Sequence, residues 1–237
     1  MEKKPFSKSG KNPNPRGQQK KVRVKTAKRR SNASTKWLER QLNDPYVAEA
    51  RVMGYRSRAA FKLVQMDEQL NLLKPGQNIV DLGAAPGGWT QIIVDKVKPE
   101  KTGAKVVALD ILPMDDIIGA TVMQMDFMDN DAPDVLKQAL DGDRVDLVVS
   151  DIAPPTIGHK QTDHLRIMGM VEAAYDFALE VLKPEGVFLA KVFQGGASND
   201  LMADMKKNFK KTKHIKPKAS RADSSEIYVI GMGFKGE

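Results

Sequence analysis

Cysteine is absent from all 237 residues. Its absence removes disulfide scaffolds, thiolate catalysis and Cys-based zinc or iron–sulfur sites, and it points to a reducing compartment. Long apolar runs are missing too. No stretch approaches the ~18 consecutive apolar residues of a membrane span, and no apolar segment follows the charges at the N-terminus, so neither a span nor a signal peptide is expected. Histidine is scarce: positions 159, 164 and 214 have neither i,i+4 spacing nor a neighbouring carboxylate cluster, and no metal site is expected. No internal repeat is evident.

What is present begins with charge. The chain carries 38 Lys+Arg against 30 Asp+Glu, but 13 of the basic residues and only one acid, Glu2, fall in residues 1–36. The rest of the chain holds 25 basic and 29 acidic residues, so the basicity belongs to the tail. That tail is Lys, Arg, Pro, Asn and Gly with almost nothing to bury, and it reads as a disordered arm over residues 1–34. One role for it is to bind a polyanion, because each cation that neutralises a phosphate releases counterions. The other is simply to keep the protein soluble.

From Trp37 onward the composition is that of one folded domain. Residues 57–73 place Ala59, Leu63, Met66, Leu70 and Leu73 on one face of a helix, with Ser57 as the expected N-cap. Short apolar runs at 79–82, 105–110, 145–151 and 186–191 then alternate with helical stretches at 89–97, 132–140 and 164–182. Strand alternating with helix predicts an α/β fold with a parallel, doubly wound sheet. After a helix at 199–210, strands at 213–217 and 226–234 follow with only a loop between them, so the sheet is expected to end in a reversed hairpin strand.

The segment Asp81-Leu-Gly-Ala-Ala-Pro-Gly-Gly-Trp-Thr-Gln91 follows the first strand and opens a helix. Glycines at 83, 87 and 88 allow a tight turn and close approach of a ligand at the carboxyl end of a strand. The spacing is not that of the G-x-G-x-x-G dinucleotide fingerprint, which disfavours a pyrophosphate cradle and hence a nicotinamide oxidoreductase. Asp110 ends the second strand, where a carboxylate typically meets a ribose diol, and Asp126, placed at the end of the third, suits an adenine amino group.

Five separated motifs, in order, resemble the FtsJ family of RNA methyltransferases: Tyr55-Arg-Ser-Arg-Ala59 with Lys62, Asp81-Leu-Gly-Ala-Ala-Pro-Gly-Gly-Trp89, Asp151-Ile-Ala-Pro-Pro, Ala190-Lys191-Val-Phe, and Ser224-Ser-Glu226. The resemblance spans about residues 35–235 and implies a Rossmann-like domain over 35–237, a seven-stranded, mostly parallel sheet with a reversed C-terminal strand. It implies S-adenosylmethionine as cofactor and methylation of RNA ribose 2′-hydroxyls through a tetrad that falls on Lys62, Asp151, Lys191 and Glu226. The family's cofactor contacts fall on Gly87, Trp89, Asp110, Asp126 and Asp151. The implied acceptor is a uridine of large-subunit (23S) rRNA in the 50S particle, the implied compartment the bacterial cytoplasm, and the expected state a monomer.

The chemistry suits those residue types. A ribose hydroxyl is a very weak acid, so methyl transfer needs the oxygen aligned with the bond being broken and a place for its proton. A lysine is a poor base at its ordinary pKa of about 10.4 and improves only where burial or a second positive charge depresses it. Lys191 is the expected base or orienter, with Lys62 beside it. Asp151 would hold the methionyl ammonium and position Lys191, and Glu226 would orient the lysines or the ribose. Lys191 stands in an apolar strand, where an unpaired ammonium is costly. Lys62 lies off the apolar stripe of its helix, and its assignment rests on the resemblance.

Three basic groups are expected to frame the cleft as RNA surfaces: the arm, the Arg51–Lys62 segment with Tyr55 interleaved, and eight Lys/Arg from Lys206 to Arg221. His159, Lys160 and Arg166 read as RNA-facing or solvated. Two other functions remain open on sequence: a tRNA 2′-O-methyltransferase of the same family, and a non-catalytic RNA-binding ribosome-assembly factor on the same fold.

Overall fold

The computed structural model describes residues 22–24, 26, 29–154, 160–193 and 198–236. Most of the expected arm, and His159, lie outside them. The first helix, α1 (Asn32–Leu42), starts inside the stretch assigned to the arm, and α2 (Pro45–Met53) follows. Both have local reasons to begin where they do. The Ser31 hydroxyl accepts the Ser34 N–H at 3.2 Å, and the Asp44 carboxylate accepts the Tyr46 N–H at 3.0 Å ahead of Pro45.

The remaining elements are α3 (Ala60–Leu70), β1 (Ile79–Leu82), α4 (Gly88–Val97), α5 (Pro99–Thr102), β2 (Val106–Asp110), β3 (Thr121–Gln124), α6 (Ala132–Ala139) and β4 (Val145–Ser150). The last five are α7 (Lys160–Val181), β5 (Leu182–Phe193), α8 (Ser198–Asn208), β6 (Phe209–Ile215) and β7 (Glu226–Phe234). The seven strands form one sheet in the order β3-β2-β1-β4-β5-β7-β6. Pairings from β3 across to β5 are parallel, and β7 is antiparallel to both its neighbours.

The reversed strand therefore exists, but it is inserted between β5 and β6 rather than forming the edge. Burial explains the order. Residues 227–231 of β7 are buried without interruption, as an interior strand requires, whereas β6 carries exposed Lys210 and Lys211 and serves as a charged edge. The expected N-cap is also displaced: α3 starts at Ala60, which donates its N–H to the Ser57 carbonyl, and the buried Ser57 hydroxyl has no partner.

Strand parity divides the core in two. Val80, Leu82, Val148, Phe188, Ala190 and Val229 face α7 and α8. Ile79, Leu147, Val149, Leu189 and Ile230 face α3 and α4, where Leu63, Met66, Trp89 and Ile93 cover them. Two residues along β5 from Leu189, Lys191 must point to the α3 side, and Tyr228 does likewise on β7. Strand order, which runs outward from β1 to β3 on one side and from β4 onward on the other, reverses between β1 and β4, and this opens a crevice at the carboxyl ends of β1, β2 and β4. Among the described residues no helix is long and apolar enough to cross a membrane.

The β6–β7 pair is packed without slack. A Cβ on Gly231 would sit 2.7–2.9 Å from the ring of Phe209, which is buried among Tyr175 and Phe234. Gly231→Ala is expected to cost about 1–3 kcal/mol, read as a lower Tm or denaturant midpoint with an unchanged m-value.

Candidate active site

The crevice holds a cavity of about 380 Å³. Its turn is made by Gly83, at φ 76°, where a Cβ would lie 2.7 Å from the Ile152 backbone nitrogen, so only glycine lets the chains after β1 and β4 approach this closely. Leu109, Ile111, Leu112, Phe127 and Met170 provide apolar wall, and Asp110, Asp126 and Asp151 bring three carboxylates to it. Arg166, exposed as the sequence suggested, also lines the cavity.

Backbone amides hold two of these carboxylates in place. Asp110 accepts from Ala85 N–H and Leu112 N–H, both at 2.8 Å, and Asp126 accepts from Met128 N–H at 2.9 Å. Asp126 does not end β3 but lies two residues beyond it, on the loop. Each carboxylate retains lone pairs for a ligand. An apolar slot with three carboxylates and one guanidinium repels a pyrophosphate and suits a nucleoside that carries positive charge.

Gly87 and Trp89 stand behind this wall. Gly87, at φ 103°, turns the chain into α4, and its missing side chain leaves room for Ile117 and Arg56. Trp89 is buried, donates its indole N–H to the Ala59 carbonyl at 2.8 Å, and packs on Tyr228 at 5.8 Å between ring centroids. It thereby ties α4 to the start of α3.

Beside the cavity the four predicted polar residues meet. Lys191 on β5 donates to the Asp151 carbonyl at 2.7 Å and lies 3.1 Å from Asp151 Oδ1. Lys62 on α3 contacts both oxygens of Glu226, at 2.8 and 2.9 Å, and is 3.7 Å from Asp151 Oδ2. Each Asp151 oxygen thus faces a different lysine. Burial opposes ionisation of Asp151, but Lys191, Lys62 and the Tyr228 hydroxyl outweigh it and hold the carboxyl below its usual range. Both lysines are buried, at 6 and 8 % exposure, so Lys62 is on the inner face of α3 rather than solvated. Lys62 is one turn before Met66, and the buried face of α3 is wider than the stripe of leucines alone indicates.

Sequence reading missed the residues that hold this cluster. Tyr228, fully buried and paired in register with Lys191, donates its hydroxyl to Asp151 Oδ1 at 2.8 Å, and its ring lies 5.6 Å from the Lys62 nitrogen. Burial raises its phenol well above the ordinary value. Ser220, in the loop before β7, donates to Glu226 Oε1 at 2.8 Å. That loop is gripped from two sides: Arg58 donates to the Ala219 carbonyl at 2.5 Å, and the Gln65 side chain accepts the Ala219 N–H at 2.8 Å. Arg58 is itself paired with Asp44 at 2.9 Å. Only the alternation of β7 signalled Tyr228 beforehand; nothing local marked Ser220 or Asp44.

The basic groups expected to frame the cleft separate in space. Arg56 donates to the carbonyls of Pro86, Asp115 and Asp116, and Arg58 to that of Ala219, so both tie loops together. Lys207 and Lys210 pair with Asp204 and Glu185. Register places Phe209 opposite Phe234 and Ile215 opposite Tyr228, so the residues near 206–211 are at the far end of the sheet from Glu226. Lys218 and Arg221 remain near the site.

Asp81 lies under the turn, fully buried, with one oxygen bonded to Thr90 at 2.7 Å and the other unpartnered. Burial pushes its carboxyl up from 3.8 to about 7. The folded state therefore binds this proton more tightly than the unfolded one. Its stabilising effect is full below the unfolded value of 3.8 and is lost as pH rises through about 7. Asp81→Asn is expected to remove that loss, so the Tm difference, variant minus parent, becomes more positive between pH 5 and pH 8; a constant difference would place the proton elsewhere.

Comparison with known proteins agrees with the geometry. The profile of the FtsJ-like methyltransferase family matches residues 55–234. Ribosomal RNA large subunit methyltransferase E of Paramagnetospirillum magneticum is 60% identical over 218 residues, covering 91% of this chain and 88% of that one. The protein of the same name from Novosphingobium aromaticivorans is 55% identical over 231 residues, covering 98% and 99%. A Plasmodium falciparum crystal structure described as a ribosomal RNA methyltransferase superposes with a TM-score of 0.67 at 31% identity, over 77% of this chain and all of that one. A parallel sheet with one reversed strand, a glycine turn after β1 and a match over most of its length make this chain a member of the FtsJ-like methyltransferase family.

Proposed function

We propose that the protein methylates a ribose 2′-hydroxyl of large-subunit rRNA, on a uridine of the 50S particle, and acts as a monomer in the cytoplasm. The observation that carries this reading is the cluster of Lys62, Asp151, Lys191 and Glu226 beside a carboxylate-lined cavity, with Asp151 belonging to both. The name carried by relatives at 55–60% identity supports the rRNA substrate.

The cavity residues fit S-adenosylmethionine: Asp110 suits the ribose diol, Asp126 with Phe127 the adenine edge and face, and Asp151 the ammonium of the methionyl end. When bound, that cofactor supplies an electrophilic methyl group on a sulfonium. Gly87 shapes the turn that admits it and Trp89 braces the turn from behind.

The chain's own residues then handle the acceptor oxygen. Lys191 directs two N–H groups at Asp151 and presents the remaining position of its nitrogen to the 2′-hydroxyl, whose proton it takes up as the methyl is transferred, so its position relative to the cavity is fixed by a carbonyl and a carboxylate. Lys62, between Glu226 and Asp151, places a second positive charge where negative charge develops on that oxygen. Glu226, braced by Ser220, keeps Lys62 from swinging toward solvent. Most of the acceleration comes from alignment of the two reactants.

Lys191→Ala is expected to lower turnover by about 10²–10⁴-fold while changing cofactor affinity only a few fold. The assay is transfer of labelled methyl from S-adenosylmethionine to undermethylated 50S particles, free 23S rRNA and bulk tRNA, with the product mapped by mass spectrometry. Label confined to tRNA would assign the chain to another acceptor. Cofactor binding without transfer to any RNA would favour an assembly factor.

A further inference from the structure

Arg56 sits where three parts of the molecule come together. Its main chain is docked on the first turns of α4: the Arg56 N–H donates to the Gln91 side-chain oxygen at 2.8 Å, and the same side chain donates to the Gly54 carbonyl at 3.1 Å. From that fixed base the Arg56 side chain crosses Gly87. A Cβ on Gly87 would lie 2.9 Å from Arg56 Nη1 and 2.8 Å from Ile117, so the bare glycine is what lets the guanidinium pass. Nη1 then donates to the Pro86 carbonyl at 3.3 Å and to the Asp115 carbonyl at 2.7 Å, and Nη2 donates to the Asp116 carbonyl at 2.8 Å.

The last two of those acceptors belong to the loop between β2 and β3, residues 111–120. The start of that loop lines the cavity through Ile111 and Leu112, directly after Asp110. Both are more than half exposed, at 58 and 62 %, so packing alone does little to keep this wall in place. Near its ends the loop has its own bonds, from the Leu112 N–H to Asp110, from the Gln124 side chain to the Ile111 carbonyl, and from the Ala120 N–H to the Ile117 carbonyl. Across residues 113–116 the two bonds from Arg56 are the only hydrogen bonds among the described residues. They reach main-chain oxygens and not carboxylates, so the guanidinium holds the path of the loop whatever side chains it carries.

Resting on the reading above that the cavity takes S-adenosylmethionine, we infer that Arg56 is a positioning residue for the cofactor: it fastens the β2–β3 loop to the glycine turn and so sets the wall beside the nucleoside end of the ligand. The nucleoside end is the one concerned because Ile111 and Leu112 follow Asp110, the carboxylate that suits the ribose diol. Arginine fits the task, since one planar fork reaches three carbonyls on two loops, whereas a lysine ammonium is a single point on a flexible stem. Arg56 belongs to the segment expected from the sequence to face RNA, yet three of its five N–H groups are directed at protein carbonyls.

The test uses the full chain. Arg56→Ala and Arg56→Lys are compared with the parent and with Gly231→Ala, which is destabilised where β7 packs on Phe209 and serves as the measure of stability loss alone. Readouts are the Kd of S-adenosylhomocysteine and of 5′-methylthioadenosine by calorimetry, amide hydrogen exchange, and the Kd of a fluorescent single-stranded RNA against salt. Arg56→Ala is expected to raise both ligand Kd values by a similar factor, about 5–50-fold, with Arg56→Lys between it and the parent. Amides of residues 111–118 should exchange faster while those of β1, β2 and β4 keep the parent's rates. RNA affinity and its salt slope should match the parent's. Weaker RNA binding with both ligand Kd values unchanged would make Arg56 an RNA contact and overturn the inference. A loss for S-adenosylhomocysteine that 5′-methylthioadenosine does not share would move the effect to the methionyl end and overturn it too, as would an equal loss in Gly231→Ala. A parent that binds neither ligand would overturn the cofactor reading and the inference with it; a parent that binds both, with Arg56→Ala indistinguishable from it, overturns the inference alone.

Discussion

The carboxylate of Asp151 is the point on which the site depends. It stands at the end of β4, with its amide bonded to the Leu82 carbonyl at 3.0 Å, so the sheet itself fixes where the charge sits. A buried carboxylate is costly unless it is answered, and here two lysines and a phenol answer it from three different elements. Removing Asp151 would take from Lys191 its carboxylate and from the buried Tyr228 hydroxyl its acceptor. The same group also lines the cavity, so one residue couples the ligand site to the acceptor site. Among the described residues it is also the one carboxylate that both buried lysines face.

Placing such a cluster requires long-range order. Lys62 arrives on a helix, Lys191 on β5, Glu226 and Tyr228 on β7, and the insertion of β7 between β5 and β6 brings the last two next to Lys191. Had β7 been a plain edge hairpin beyond β6, Tyr228 would not lie in register with Lys191, and Glu226 would stand a strand's width further from Lys62. The loop before β7 completes the arrangement: Arg58, Gln65 and Ser220 tie that loop to α3 and to Glu226. Cations that look like a nucleic-acid surface in the sequence are here largely internal ties.

Strand and helix order, the central parallel strands and the glycine turn were legible because each is a local property: apolar runs, alternating periods and Gly83 with Gly87. Lys191 was legible because an ammonium in an apolar strand demands a partner. Lys62 could be assigned only through the resemblance, because the apolar stripe Ala59, Leu63, Met66, Leu70 and Leu73 understates how much of α3 is buried. Arg166 reads from the chain as RNA-facing or solvated; it is exposed, and what the chain around it does not mark is that it also lines the cavity.

What the sequence by itself determined is the residue inventory and its periodicity: an α/β chain without cysteine, a basic arm apart from a slightly acidic domain, and titratable residues at the ends of apolar strands. What only the tertiary structure decided is which of those charges meet. Tyr228 lies 166 positions from Lys62 in the chain yet its ring faces the Lys62 nitrogen, and Ser220, 158 positions away, holds the Glu226 that pairs with it. Pairing at such separation is set by sheet order and strand register, and both emerge from packing the whole core, because no short segment contains the energy that selects one neighbour over another.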